Sequence, residues 1–173
     1  MVEVNVESLG LDRTSNTPVV ILKEVGAERV LPIWIGPGEA SAIAMQLGGM
    51  AFQRPLTHDL LVSVLGGLGG SLERVLITRV EESTYFAELI IDVDGNLVSI
   101  DARPSDSIAI ALRVDAQIFA EDALLDHSTD SDEPAPGNGE HGAGDDDECG
   151  VSGEALEEHL RQLRPEDLGR FNR

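Results

Sequence analysis

Apolar side chains alternate with polar ones in VEVNVESL, where Val2, Val4 and Val6 share one face, and PVVILKEV and RVLPIWIG carry further short apolar runs. A period of two over such lengths predicts three successive β-strands. The spacing then changes. GEASAIAMQLGGM reads as a helix, and THDLLVSVLGGLGG as a second one with Thr57 as its N-cap and glycines at its end. Three more strands are expected in LERVLITRVEE, TYFAELIIDVDG and NLVSIDAR, with the Asp-Gly pair marking a hairpin turn, before PSDSIAIALRVDA closes the series as a helix.

The order of three strands and a helix thus occurs twice, and the two copies align at a constant offset of 67 residues. Ile33 meets Ile100, Pro37 meets Pro104, Glu39 meets Asp106, and Ala42, Ile43, Ala44 and Met45 meet Ala109, Ile110, Ala111 and Leu112, while Trp34 stands opposite Asp101. Identities concentrated at one strand-to-helix junction indicate a repeated supersecondary unit. The predicted fold is α+β, with two β3α repeats forming a compact mixed or antiparallel sheet domain packed with helices. Both repeat helices are apolar around most of their circumference, so each must be covered on more than one side, by the sheet and by the other helix or a second subunit. A homo-oligomer is expected.

Composition divides the chain. Residues 128–153 are dense in Gly, Pro and acid, which predicts a disordered acidic linker between a domain at 1–127 and a tail at 154–173. In the tail, Leu156, Leu160 and Leu163 fall on one helical face, an amphipathic helix suited to an intramolecular or oligomer contact or to a protein partner. Up to Asp126 there are 8 Lys and Arg against 19 Asp and Glu, a balance of −11; the remainder has 4 against 13, or −9. This field opposes diffuse binding to nucleic acid, so phosphate chemistry would need a local cationic pocket or a metal ion. The aromatics of residues 1–127, Trp34, Phe52, Tyr85, Phe86 and Phe119, are too few to predict a base-stacking platform. Cys149 is the single cysteine, the first residues lack the basic and apolar regions of a signal peptide, and no apolar run is long enough to span a bilayer. A cytoplasmic location with no membrane association is the expectation.

Pro37 and Pro104 are placed at first helical positions, with Glu39 and Asp106 in the first turns. Acids there interact favourably with unpaired backbone N–H groups, which is a sufficient structural role. Thr57 as N-cap would likewise leave His58 and Asp59 in a first turn. Yet Arg54-Pro55 and Arg103-Pro104 both set an arginine just before a proline at a helix start. Each arginine could pair with an acid such as Asp59 or Asp101; alternatively two guanidinium groups and several N–H groups converge on an anion such as phosphate. Asp101 ends a strand beside a helix start, a common place for functional side chains. With so few histidines, a metal would be oxygen-ligated, Mg²⁺ or Mn²⁺, drawn to Glu39, Asp59, Asp101 and Asp106. Nothing in the motifs calls for an organic cofactor.

The segments LPIWIGPGEASAIAMQL, RPLTHDLL, RVLITRVEESTYFAELII and IDARPSDSIAIALR, in this order, resemble the bifunctional nuclease family, also called the BFN or DUF151 domain. The resemblance covers residues 1–127, and LRPEDL near the C-terminus is similar to the tail of longer bacterial members. It implies a small, self-associating α+β fold and a nuclease, a phosphodiesterase acting on DNA and RNA with divalent-metal assistance. Under that implication the catalytic candidates are Asp101, Asp106, Arg103, His58 and Arg54, and the metal candidates Glu39, Asp59, Asp101 and Asp106. The carboxylates would hold the cation, the arginines would stabilise phosphate charge, and His58 would carry a proton. Ser107 stands where the family often has alanine. The alternative is a non-catalytic oligomeric regulatory or binding module in which the same motifs are structural.

Overall fold

A computed structural model of the chain describes residues 1–12 and 15–127. The acidic linker at 128–153 and the tail helix at 154–173 lie outside the described residues. The strands and helices are β1 (Val2–Leu11), β2 (Pro18–Glu24), β3 (Arg29–Trp34), α1 (Pro37–Leu47), α2 (Thr57–Gly67), β4 (Gly70–Glu81), β5 (Thr84–Val93), β6 (Asn96–Ala102), α3 (Pro104–Val114), β7 (Gln117–Ala120) and β8 (Asp126–His127). The fold is α+β, as the pattern predicts. The duplication is visible in the bounds themselves, since α1 and α3 span 11 residues each, displaced by the offset that aligns the two sequences.

All the strands join in one sheet with the order β6-β5-β4-β7-β1-β2-β3-β8. Each repeat contributes an antiparallel meander, and β7 joins the two, running parallel to β4 and antiparallel to β1. The sheet is therefore mixed at that one seam. Alternation gives it a buried face: Val20 and Leu22 from β2, Leu31 and Ile33 from β3, Val75 and Ile77 from β4, and Ile118 and Ala120 from β7 enter a common core with α3. The Asp94-Gly95 pair makes the predicted two-residue hairpin, with both residues at positive φ as a type I′ turn requires. β6 forms where the pattern predicts it but buries no residue, although Leu97, Val98 and Ile100 are large and apolar.

The repeat helices also differ in burial. α3 is sunk in the core through Ile108, Ala109, Ile110 and Ala111, whereas α1 buries only Ala40 and Ile43. Ser107, also fully buried, bonds the Arg103 carbonyl at 2.9 Å, so its hydroxyl is satisfied within its own helix start. α2 buries no residue, and Leu60, Leu61, Val64 and Leu68 face outward. Its first helical residue is Thr57, with Leu56 at the N-cap position in place of the threonine the sequence suggests. No helix among the described residues is long and apolar enough to cross a membrane.

One side chain ties the three helices together. Arg113, near the end of α3 and only 6% exposed, donates from Nε to the Asp59 carboxylate of α2 at 2.5 Å. Its Nη1 donates to the Ala109 carbonyl at 2.7 Å, and both terminal nitrogens reach the Ala42 carbonyl of α1 at 3.4 Å. Gln46 adds a bond from α1 to the Leu112 carbonyl of α3 at 3.1 Å. The other Asp59 oxygen accepts from the Leu56 N–H at 2.8 Å, so the same carboxylate caps α2.

The Arg113 hydrogen bond, aided by the Leu56 N–H, holds the Asp59 carboxyl below the usual carboxylate range. A depressed folded-state value means that the charge stabilises the fold above the ordinary carboxylate value of about 3.9 and stops doing so as the pH falls through the folded-state value beneath it. Asp59→Asn keeps an acceptor for Leu56 but leaves Arg113 uncompensated, and should cost on the order of 2–3 kcal/mol at pH 7. In urea titrations the gap between the two proteins should hold from pH 7 to about 5 and close below about 4. A gap independent of pH would show that the charge is not what matters.

Candidate active site

Three helices begin at one place. Gly38 and Glu39 from the first turn of α1, Thr57 and His58 from that of α2, and Arg103 and Asp106 at the start of α3 line a single cavity of about 590 Å³, with Ser41, Ala42 and Met45 along one wall. Local sequence accounts for each start. Pro37 and Pro104 occupy first helical positions after Gly36 and Arg103 in extended conformation, and Pro55 precedes α2. Because the first N–H groups of a helix lack partners, three converging starts place several donors and three positive dipole ends around one opening.

The side chains there form a continuous chain of contacts. His58 Nε2 lies 3.1 Å from Asp106 Oδ1, Arg103 Nε donates to Asp106 Oδ2 at 2.7 Å, and Arg103 Nη2 pairs with Glu39 Oε1 at 2.8 Å. His58 is 14% exposed, while Arg103 is 66% exposed. The imidazole is thus held in place and the guanidinium is presented to solvent. Burial works to raise the Asp106 carboxyl, but the hydrogen bonds from Arg103 and then His58 outweigh it and hold it below the usual range. Those from Asp106, and to a smaller degree Glu39, raise Arg103 further above its ordinary value. With a neutral His58, these lining charges sum to −1, two carboxylates against one guanidinium, and the helix starts oppose that balance.

Four of the residues singled out from sequence therefore meet: Glu39, His58, Arg103 and Asp106. The others do not. Asp59 is spent on Arg113 and on the cap of α2. Asp101 lies exposed on β6, opposite Glu88, outside the cavity lining. Arg54 is exposed in the segment before α2 and does not line the cavity, though the adjacent Pro55 does. The paired arginines expected at two helix starts are thus one arginine, and its partners are Glu39 and Asp106 instead of Asp59 or Asp101. Among the described residues no three of the His, Cys, Asp and Glu side chains converge to hold a metal ion by themselves, so Glu39, Asp59, Asp101 and Asp106 do not form one donor set. What remains is a pair of carboxylates, Glu39 and Asp106, both held by Arg103.

Sequence reasoning missed the far side of this site. Glu39 and Arg103 also wall a second cavity of about 300 Å³, lined by Trp34, Ser83, Thr84 and Tyr85 among others. The one signal for it was the tryptophan standing opposite Asp101 in the repeat alignment.

Residues 20–133 match the bifunctional nuclease domain. An uncharacterized protein of Mycobacterium tuberculosis is 46% identical over 125 residues, covering 72% of this chain and 74% of its own. Bifunctional nuclease 1 of Arabidopsis thaliana is 30% identical over 100 residues, and bifunctional nuclease 2 of Oryza sativa subsp. japonica 25% over 113; the matches cover 56% and 63% of this chain but only 31% and 35% of the plant proteins.

Gly36 guards the geometry. A Cβ there would fall 2.4 Å from Glu39 Oε2, so any side chain must push the carboxylate aside. Its φ of −74° is open to every residue, and Gly36→Ala should cost only about 1 kcal/mol through the weaker N-cap. Arg103 should lose its hold on Glu39, seen as increased mobility of its side-chain NMR signal. An unaltered signal would mean that the pair tolerates the intrusion.

Proposed function

From membership of the bifunctional nuclease domain family, to which this chain belongs, we propose that the cavity at the three helix starts hydrolyses phosphodiester bonds in DNA and RNA. The observation that carries the reading is the His58–Asp106–Arg103–Glu39 chain of contacts on one cavity wall. A phosphate entering it meets the exposed Arg103 guanidinium and the free N–H groups of the helix starts, which stabilise charge developing on its oxygens. Asp106 holds His58 by Nε2 and so orients the ring, leaving Nδ1 as the nitrogen that exchanges a proton. The oxygen of a water forms the new bond to phosphorus, the bond to the leaving sugar oxygen breaks, and His58 carries the proton between them. A divalent ion such as Mg²⁺ or Mn²⁺ arriving with the phosphate would be met by Glu39 and Asp106 and would neutralise charge on the scissile group. The reading places the chain in the cytoplasm, where the lone Cys149 stays reduced.

A second reading, a non-catalytic oligomeric module, is favoured by one observation: the outward apolar face of α2, with Leu60, Leu61 and Val64, continued by Leu68 just past its end. Self-association is compatible with both readings. Sedimentation velocity should give an oligomer for the wild type and a smaller species for the Leu60→Glu, Val64→Glu variant; a monomeric wild type would remove this argument.

Catalysis is tested with highly purified protein on single-stranded and duplex DNA and RNA, with and without EDTA. His58→Ala should lower kcat by about 10²–10⁴-fold with its fold intact by circular dichroism. Cleavage by that variant at the wild-type rate would overturn the mechanism.

A further inference from the structure

Trp34 ends β3 with 51% of its surface in water. Nothing in the fold asks for an aromatic ring at this place, because the second repeat carries an exposed aspartate, Asp101, at the equivalent position. The ring is nevertheless anchored. Its indole N–H donates to Asp12 Oδ2 at 3.0 Å, which fixes the polar edge while much of the ring stays open. Trp34 and Tyr85 line the smaller cavity beside the site, and Tyr85 is delivered there by the β4–β5 hairpin, whose two loop residues Glu82 and Ser83 hold positive φ as a type I′ turn requires. Hydroxyls of Ser83 and Thr84 line the same cavity.

The two cavities share Glu39 and Arg103, so one guanidinium borders both. In a single strand each phosphate lies between two sugar–base units, so a phosphate at Arg103 leaves a neighbouring base within reach of the flank. We propose that the Trp34–Tyr85 cavity is a nucleobase subsite that takes one unstacked base of a single-stranded nucleic acid while the adjacent phosphate sits at Arg103. The aromatic rings supply stacking, which tolerates any base because every base has a π-face, and Ser83 and Thr84 offer hydrogen bonds to its edge. An intact duplex keeps its bases stacked on each other and cannot fill the subsite. This inference rests on the phosphodiesterase reading for the identity of the ligand, and it turns that reading into a preference for single strands.

Trp34 is the only tryptophan of the chain, so its fluorescence reports on the subsite without a label. The full chain is titrated in EDTA with a short oligothymidylate, with the same strand annealed to its complement, and with inorganic phosphate. Saturable quenching by the single strand alone is the expected result. No quenching by the single strand, or equal quenching by the duplex or by phosphate, would overturn the proposal. Under turnover conditions Trp34→Ala should raise KM for single-stranded substrate on the order of tenfold, with the loss falling mainly on KM, and Trp34→Phe should recover most of it. If Trp34→Ala does not fold, the wild-type titration with the single strand, the duplex and phosphate still decides the matter. Quenching by single strands in a protein that cleaves nothing would retain the subsite and discard the nuclease; cleavage with no quenching and an unaltered KM in Trp34→Phe and Trp34→Ala would do the reverse.

Discussion

The arrangement of the helices depends on Arg113. A guanidinium this deeply buried is tolerable only if its donors are used, and here they are divided among a carboxylate on α2, a carbonyl of its own helix and a carbonyl on α1. Van der Waals packing of small alanines would allow the helices to slide against one another. A planar fork with fixed donor directions does not, so it sets where α1 and α2 lie relative to α3. That placement brings three helix starts around one opening. The chemistry of the cavity is downstream of a side chain that does not touch it.

The duplication supplies the rest, and its imperfections are informative. Glu39 and Asp106 are equivalent by repeat, and both turn toward the single arginine at Arg103, whose first-repeat counterpart is Gly36. One copy thus contributes a cation and the other the space for its partner carboxylate, because a Cβ at Gly36 would exclude Glu39 from where it lies. The divergence of Trp34 from Asp101 follows the same logic. The wall shared by the two cavities takes Glu39 from one repeat junction and Arg103 from the other.

Most of the elements were legible because their periodicity was local. Strands of six residues or more with one buried face, and helices opened by proline, carry their signals within a few neighbours. β7 was not visible: QIFA is four residues long, and α3 ends on Asp115 at φ 56°, a left-handed cap that glycine would have announced. The exposure of α2 and β6 was also hidden, since an apolar pattern does not say whether a partner surface exists. At the site, Glu39 and Asp106 stood out through the repeat, and His58 and Arg103 through their motifs. The pairing of Asp59 with Arg113 was not legible, because the two lie 54 residues apart and no spacing rule connects them. Asp101 was judged by its place at a strand end, a position whose equivalent in the other repeat does face a cavity.

The strand that unites the sheet is nearly the last to be made. Val4 of β1 lies beside Ile118 of β7, and β4 meets the first half of the sheet only through that same short segment. Each meander can form as its own residues appear, but the two remain separate sheets until the chain has been synthesised past Ala120. Closure then brings together parts of the polypeptide more than a hundred residues apart, the kind of non-local contact that slows folding. During translation the first meander would therefore wait with its β1 edge unpaired, and that interval is when this protein is most exposed to wrong strand partners.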